Sequence, residues 1–207
     1  MPYFPFFTDI KGRPCLIAGG GTVALRKVEK LLPYGSQITV VAPSICPEIL
    51  SLPEVTCLQA CVTTDMITRD LAFVIAATDE RELNHALSEK CRSLSVPVNV
   101  VDYKPDCTFL FPALVQRGEL SVGISTGGAS PSAAIYLKEQ IGALLPENTE
   151  EILAYLESIR PMVKSRIPEE RTRSRLLRQV FLLCLERGGA LPEDTLAELM
   201  EGYGDAQ

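Results

Sequence analysis

Short apolar runs and segments of helical period alternate through the first half of the chain. Cys15-Leu16-Ile17-Ala18 is the first such run, and it stops at three glycines, Gly19-Gly20-Gly21. From there the period changes: Val23, Val28, Leu31 and Leu32 recur at helical spacing until Pro33 and Gly35 break the pattern. Residues 37–42 read as a second strand and residues 55–60 as a third. Residues 71–77 are almost unbroken apolar, the mark of a strand buried on both faces of a parallel sheet. Thr78-Asp79 then starts a helix running through Cys91, with Asp79 as its cap and His85 as a structural residue, and residues 96–102 supply a fifth strand. Strands alternating with helices predict a parallel sheet with crossover helices, whose ligands meet the carboxyl ends of the strands.

Beyond residue 108 the pattern changes. Residues 109–115 and 120–125 flank a Gln116-Arg117-Gly118-Glu119 turn and read as a β-hairpin. Ser130 then sits where an N-cap belongs, with Pro131 at the first helical position. Past Pro146 only helical patterns remain, starting at Asn148 or Thr149, at Pro168-Glu169-Glu170 and at Pro192-Glu193-Asp194. The fold class is α/β, a Rossmann-type parallel sheet over residues 1–112, a small α+β region over 113–146 and a helical domain over 147–207. Tyr3-Phe4-Pro5-Phe6-Phe7 reads as a packed N-terminal arm, and residues 201–207 as a frayed tail.

The glycines have the spacing Gly19-x-Gly21-x-x-Ala24. Gly19 permits the tight turn, Gly21 lets the backbone approach a pyrophosphate, and Ala24 lets the helix pack closely on the strand. The amides of Thr22 and Val23 open that helix and point at the anion. Such turns also arise for purely geometric reasons, so the flanking strand and helix are what give this one meaning. The acid that usually binds the adenosine ribose about 20 residues further on is missing after Pro43-Ser44. No Lys or Arg lies between Lys30 and Arg69 to neutralise a 2′-phosphate, so NAD is favoured over NADP, with the Ser44 hydroxyl and backbone groups at the strand end. Ala77 and Thr78 end one strand and Asn99 and Asp102 another, all near the same sheet edge. An Asp after a strand is more often a turn residue than a catalyst. Thr126-Gly127-Gly128-Ala129-Ser130-Pro131 is open between a carboxylate-holding loop and a plain strand-to-helix connection.

Composition narrows the class. A net charge of −6 argues against general nucleic-acid binding, although Arg160, Lys164, Arg166, Arg171, Arg173, Arg175 and Arg178 form a locally basic segment. The seven cysteines form no CxxC pair and there is one histidine, so no preformed metal site is expected and the thiols suit a reducing compartment. No apolar run reaches the roughly 20 residues of a membrane span, and no signal segment opens the chain, which predicts a cytoplasmic protein.

Taken together, Gly19-Gly20-Gly21-Thr22-Val23-Ala24 with Arg26-Lys27, Ile75-Ala76-Ala77-Thr78-Asp79, Asn99-Val100-Val101-Asp102, Phe111-Pro112-Ala113 and Ser125-Thr126-Gly127-Gly128-Ala129-Ser130-Pro131 resemble the siroheme synthase family, in its precorrin-2 dehydrogenase module. The resemblance spans residues 1–145, and the C-terminal helices share it by architecture. It implies NAD-dependent oxidation of precorrin-2 to sirohydrochlorin, with Fe²⁺ insertion to siroheme as a second activity of bifunctional members. It also implies a homodimer joined through residues 113–146. By the same resemblance Asp102 is the proton acceptor, taking part in chelation where that occurs. Gly19, Gly21, Thr22, Val23, Pro43, Ser44, Ala77, Thr78 and Asn99 are the expected cofactor contacts; Ser125, Thr126, Gly127 and Gly128, with Arg117, Lys138 or members of the basic segment, are expected to meet the carboxylate-rich substrate, although for any one of the basic residues a solvated helix face is the commoner role. The competing expectation is a non-catalytic NAD-binding regulatory protein.

Overall fold

The computed structural model describes residues 3–204, which form two compact units, the first ending at Phe111 and the second beginning at Pro112. The first holds five parallel strands, β1 (Pro14–Ala18), β2 (Gln37–Ala42), β3 (Val55–Gln59), β4 (Phe73–Ala76) and β5 (Val98–Val100), in the order β3-β2-β1-β4-β5. Strand order reverses at β1, where Ala18 lies beside Val41 on one side and Ala76 on the other. Alternation along β1 decides the two cores. Ile17 joins Val28, Ile38, Val40 and Ile75 on the face covered by α1 (Thr22–Leu31). Leu16 and Ala18 join Val74, Leu87, Cys91 and Val98 on the face covered by α3 (Arg81–Leu94).

Several boundaries differ from expectation. A short α2 (Pro47–Leu50) follows β2, and β4 and β5 are shorter than their apolar runs. Helix α3 starts at Arg81 with Glu80 as N-cap, so Asp79 does not cap it. Asn84 explains the shift. Its amide donates to the Thr78 carbonyl and its carbonyl accepts from the Thr78 hydroxyl, both at 2.8 Å, closing residues 78–80 into a turn. The helix also runs three residues beyond Cys91, ending at Ser95 in the left-handed region. The phenylalanines of the aromatic arm are not packed within its unit, although the Tyr3 ring centroid lies 5.4 Å below the Lys104 ammonium. The arm's backbone joins neither sheet nor helix, and Phe4 is 86% exposed.

In the second unit, β6 (Ala113–Arg117) pairs antiparallel with β7 (Leu120–Ile124) across a two-residue Gly118-Glu119 turn. Helix α4 (Pro131–Leu144) begins where expected, with Ser130 Oγ accepting from the Ala133 amide at 3.1 Å. Three further helices, α5 (Thr149–Arg166), α6 (Glu170–Arg187) and α7 (Glu193–Gly204), enclose a core of Ile152, Val163, Leu176, Val180, Cys184 and Met200. The last turn does not fray through residues 201–204: Met200 is buried, and the Tyr203 hydroxyl donates to Gln179 at 2.7 Å. The remainder of the expected frayed tail, residues 205–207, lies outside the described residues. Among the described residues, no helix is long and apolar enough to cross a membrane.

Candidate functional site

The loop after β1 is fixed from both sides. Gly19 has φ +122°, and its amide donates to the Val41 carbonyl at 2.9 Å. A methyl group there would collide with the Ala77 carbonyl. Gly20 is equally constrained, because a Cβ would strike the Ser44 carbonyl while its own carbonyl accepts from Cys46 N at 2.8 Å. Gly21 differs: it is the N-cap of α1, has open space where a Cβ would stand, and provides no side-chain cap. The first amides of α1 therefore lack a capping side chain, no acidic residue occupies its first turn, and backbone can approach an anion closely. This cradle fits a dinucleotide pyrophosphate.

Beside it, at the carboxyl ends of β4 and β5, opens a cleft of about 340 Å³. Of the residues expected at the cofactor, Val23, Ala77 and Thr78 line it, and so does Asp102, the expected proton acceptor. Gly19, Gly21 and Thr22 form the adjoining turn, while Pro43 and Ser44 are exposed beyond β2, on the far side of Gly20. Asn99 stands apart. It is buried, and its amide donates to the Phe109 carbonyl at 3.1 Å rather than lining the cleft.

Asp102 is exposed and has φ +58°, one of two non-glycine residues at positive φ among the described residues. Asp tolerates that region better than most residues, yet such a conformation costs on the order of 1 kcal/mol and persists where its surroundings impose it. Lys27, one helical turn beyond Val23 on α1, adds a cation. Its ammonium lies 4.1 Å from the Phe111 ring centroid. Burial pushes its pKa down to about 8, with Lys30 lowering it further and the charges of Cys107 and Asp102 opposing.

The same cleft is lined by Arg81, Tyr103 and Asp106, which sequence reasoning did not select. Arg81 stacks over Tyr103 at 4.4 Å, and Asp106, only 8% exposed, has its carboxylate 2.8 Å from His85 Nδ1. The available signal was faint: Asp106 belongs to a short 3-10 turn that no hydrophobic period announces, and Lys27 shows as part of the Arg26-Lys27 pair behind the glycine turn, with nothing in the sequence to mark its burial. All seven cysteines are free thiols. Among the described residues no group of three or more His, Cys, Asp or Glu is placed to hold a metal ion.

Ser125, Thr126, Gly127 and Gly128 belong to the second unit. Ser125 Oγ accepts from the Gly127 amide at 3.2 Å, Thr126 Oγ1 accepts from the Ser130 amide at 3.2 Å, and both glycines have positive φ. Of the basic segment, Arg173 donates to the Ile167 and Pro168 carbonyls, both at 3.0 Å, so it secures the α5–α6 corner. Arg160, Lys164, Arg166, Arg171, Arg175 and Arg178 are exposed.

A family model described as "Putative NAD(P)-binding" matches residues 6–113. The siroheme synthase of Thioalkalivibrio sulfidiphilus is 40% identical over 179 residues, 84% of this chain and 36% of that protein. That of Nitrosomonas europaea is 35% identical over 214 residues, 99% of this chain and 45% of that protein. The chain thus spans less than half the length of these relatives. The solved structure of SirC, precorrin-2 dehydrogenase, aligns with a TM-score of 0.70 over 98% of this chain and 100% of that chain, at 24% identity, a likeness of fold.

Proposed function

The chain belongs to the NAD(P)-binding family, and from that premise we propose that it is a cytoplasmic precorrin-2 dehydrogenase, converting precorrin-2 to sirohydrochlorin with NAD as oxidant. The observation that carries this reading is Asp102, a carboxylate fixed at positive φ beside the cradle that fits a pyrophosphate. The relatives' name, siroheme synthase, supports the substrate class. Bound at the Gly19–Gly21 turn, the cofactor supplies a hydride acceptor. Asp102 receives the proton that leaves as the hydride departs, and exposure lets it pass that proton to solvent. NAD is preferred to NADP because β2 is followed by Pro43-Ser44, with no Lys or Arg between Lys30 and Arg69.

In the same reading Ser125, Thr126, Gly127 and Gly128 meet the acidic side chains of the tetrapyrrole, and the exposed arginines of α5 and α6 steer it. Fe²⁺ insertion into sirohydrochlorin is the second activity proposed, with Asp102 accepting pyrrole protons. Residues 113–146 join two copies. Helix α4 supports this, burying only Ala134 while Tyr136 and Leu144 are 60% and 80% exposed.

The test compares wild type with Asp102→Ala in two assays, precorrin-2 with NAD and sirohydrochlorin with Fe²⁺. Wild type is expected to form sirohydrochlorin, and the variant to lose about 100-fold or more in turnover while still binding NAD. Absence of sirohydrochlorin with wild type would reject the enzyme and leave an NAD-binding regulatory protein.

A further inference from the structure

Four side chains along one face of α3 reach the turn that follows Asp102. Arg81, His85, Ser88 and Arg92 have the spacing i, i+4, i+7, i+11, a continuous helical stripe. Arg81 covers the Tyr103 ring at 4.4 Å. His85 Nδ1 donates to the Asp106 carboxylate at 2.8 Å, and Ser88 Oγ to the Asp106 carbonyl at 2.7 Å. Arg92 donates through Nη2 to the Pro105 carbonyl at 3.0 Å, and its Nε reaches Ser88 Oγ at 3.4 Å.

The adjoining face of α3 carries Leu87 and Cys91 into the sheet core, so the helix is anchored by packing that His85 and Arg92 do not supply. Residues 104–106 form one 3-10 turn, closed by Asp106 N donating to the Tyr103 carbonyl at 3.3 Å and by Cys107 N donating to the Lys104 carbonyl at 3.0 Å; the Cys107 thiol ties its far end to Val100 at 3.2 Å, and the stripe holds residues 105 and 106 from the helix side. Asp102, at its head, holds a left-handed conformation that requires external restraint. A buried Asp106 carboxylate likewise needs a donor, and His85 provides it.

We propose that the stripe is a positioning device: His85 and Arg92 act through the 103–106 turn to hold the Asp102 carboxylate at the cleft wall, setting turnover rather than cofactor affinity. The effect on turnover rests on the dehydrogenase reading, whereas the restraint on the turn does not. The experiment therefore has two arms, applied to His85→Ala, Arg92→Ala and the conservative His85→Asn, which keeps an N–H donor for Asp106.

In the full chain without substrate, amide hydrogen exchange at Tyr103, Asp106 and Cys107 is expected to rise about tenfold in both alanine variants and return close to wild type in His85→Asn. With precorrin-2, kcat should fall about tenfold in the alanine variants, with KM and the NAD Kd within about twofold, and His85→Asn should recover most of the rate. Unchanged exchange at those amides overturns the restraint. Raised exchange with unchanged kcat, or a parallel loss of NAD affinity, overturns the link to Asp102. If wild type does not oxidise precorrin-2, the dehydrogenase reading falls, and the exchange arm alone decides the restraint.

Discussion

Lys27 is where folding and chemistry pull against each other. Its folded pKa, about 8, lies below the ordinary 10.5, chiefly because burial disfavours the charged form. Between those values the unfolded chain binds more protons than the fold, so this group makes stability rise with pH across that window. Below it the fold carries a partly desolvated ammonium at a constant cost. Lys27→Met is expected to stabilise the protein by about 1 kcal/mol at pH 7, after discounting for partial exposure and the lost contact with Phe111. The advantage should shrink as pH rises to about 10.5. Urea midpoints of both proteins at the two ends of that range check the sign, and an advantage that grows with pH would contradict it. At this scale the sequence was a partial guide: the place of Asp102 at the strand end was legible through its neighbours in the motif, whereas the burial of Lys27 and the His85 bond of Asp106 depend on what the chain later folds against them.

Among elements, the junction of β1, β2 and β4 shows how far a pattern can be read. The apolar runs placed the parallel strands, and β2 occupies the residues expected of it, because burial on both faces leaves an unmistakable sequence mark. The start of α3 lies later than its pattern predicts, because the Thr78–Asn84 side-chain bonds close a turn that no periodicity announces. The glycine turn was legible as a motif, but its middle member was passed over as a variable position. Gly20 is pressed against Ser44, Gly21 against nothing. Gly20→Ala is therefore expected to destabilise the fold by about 2 kcal/mol or more and to weaken NAD binding as a consequence. Gly21→Ala should leave the thermal midpoint nearly unchanged and still weaken NAD about tenfold or more, because its methyl occupies the approach to the pyrophosphate. Calorimetric melting and NAD titration of both variants separate the two effects; equal melting losses would contradict the distinction.

For the whole molecule, exposed apolar surface points to association. Helix α4 leaves Ile135, Tyr136, Leu137 and Leu144 exposed, and a surface of that kind is unusual unless something covers it. Wild type is expected to sediment as a dimer, and Tyr136→Asp combined with Leu144→Asp as a monomer that keeps its helical content. A monomeric wild type would reject the proposed interface. Hydrophobic periodicity located α4 but could not show that Ile135, Tyr136, Leu137 and Leu144 stay exposed among the described residues, since that depends on how little of the helix β6 and β7 cover. The aromatic arm was misjudged for the same reason: apolar composition predicts burial, and Phe4 finds no cover within its unit.

The β1–β4 pairing has a consequence for how the protein matures. Ala18 and Ala76 are sheet neighbours far apart in the chain, whereas β1, β2 and β3 succeed one another through shorter connections. Loop closure makes such distant pairings slow to form, so the β1–β3 half should assemble ahead of the docking of β4 and β5. The cleft draws its walls from both sides of that seam. Cofactor capture consequently reports that the last pairing has closed, and an NAD pool during synthesis would select chains that have completed it.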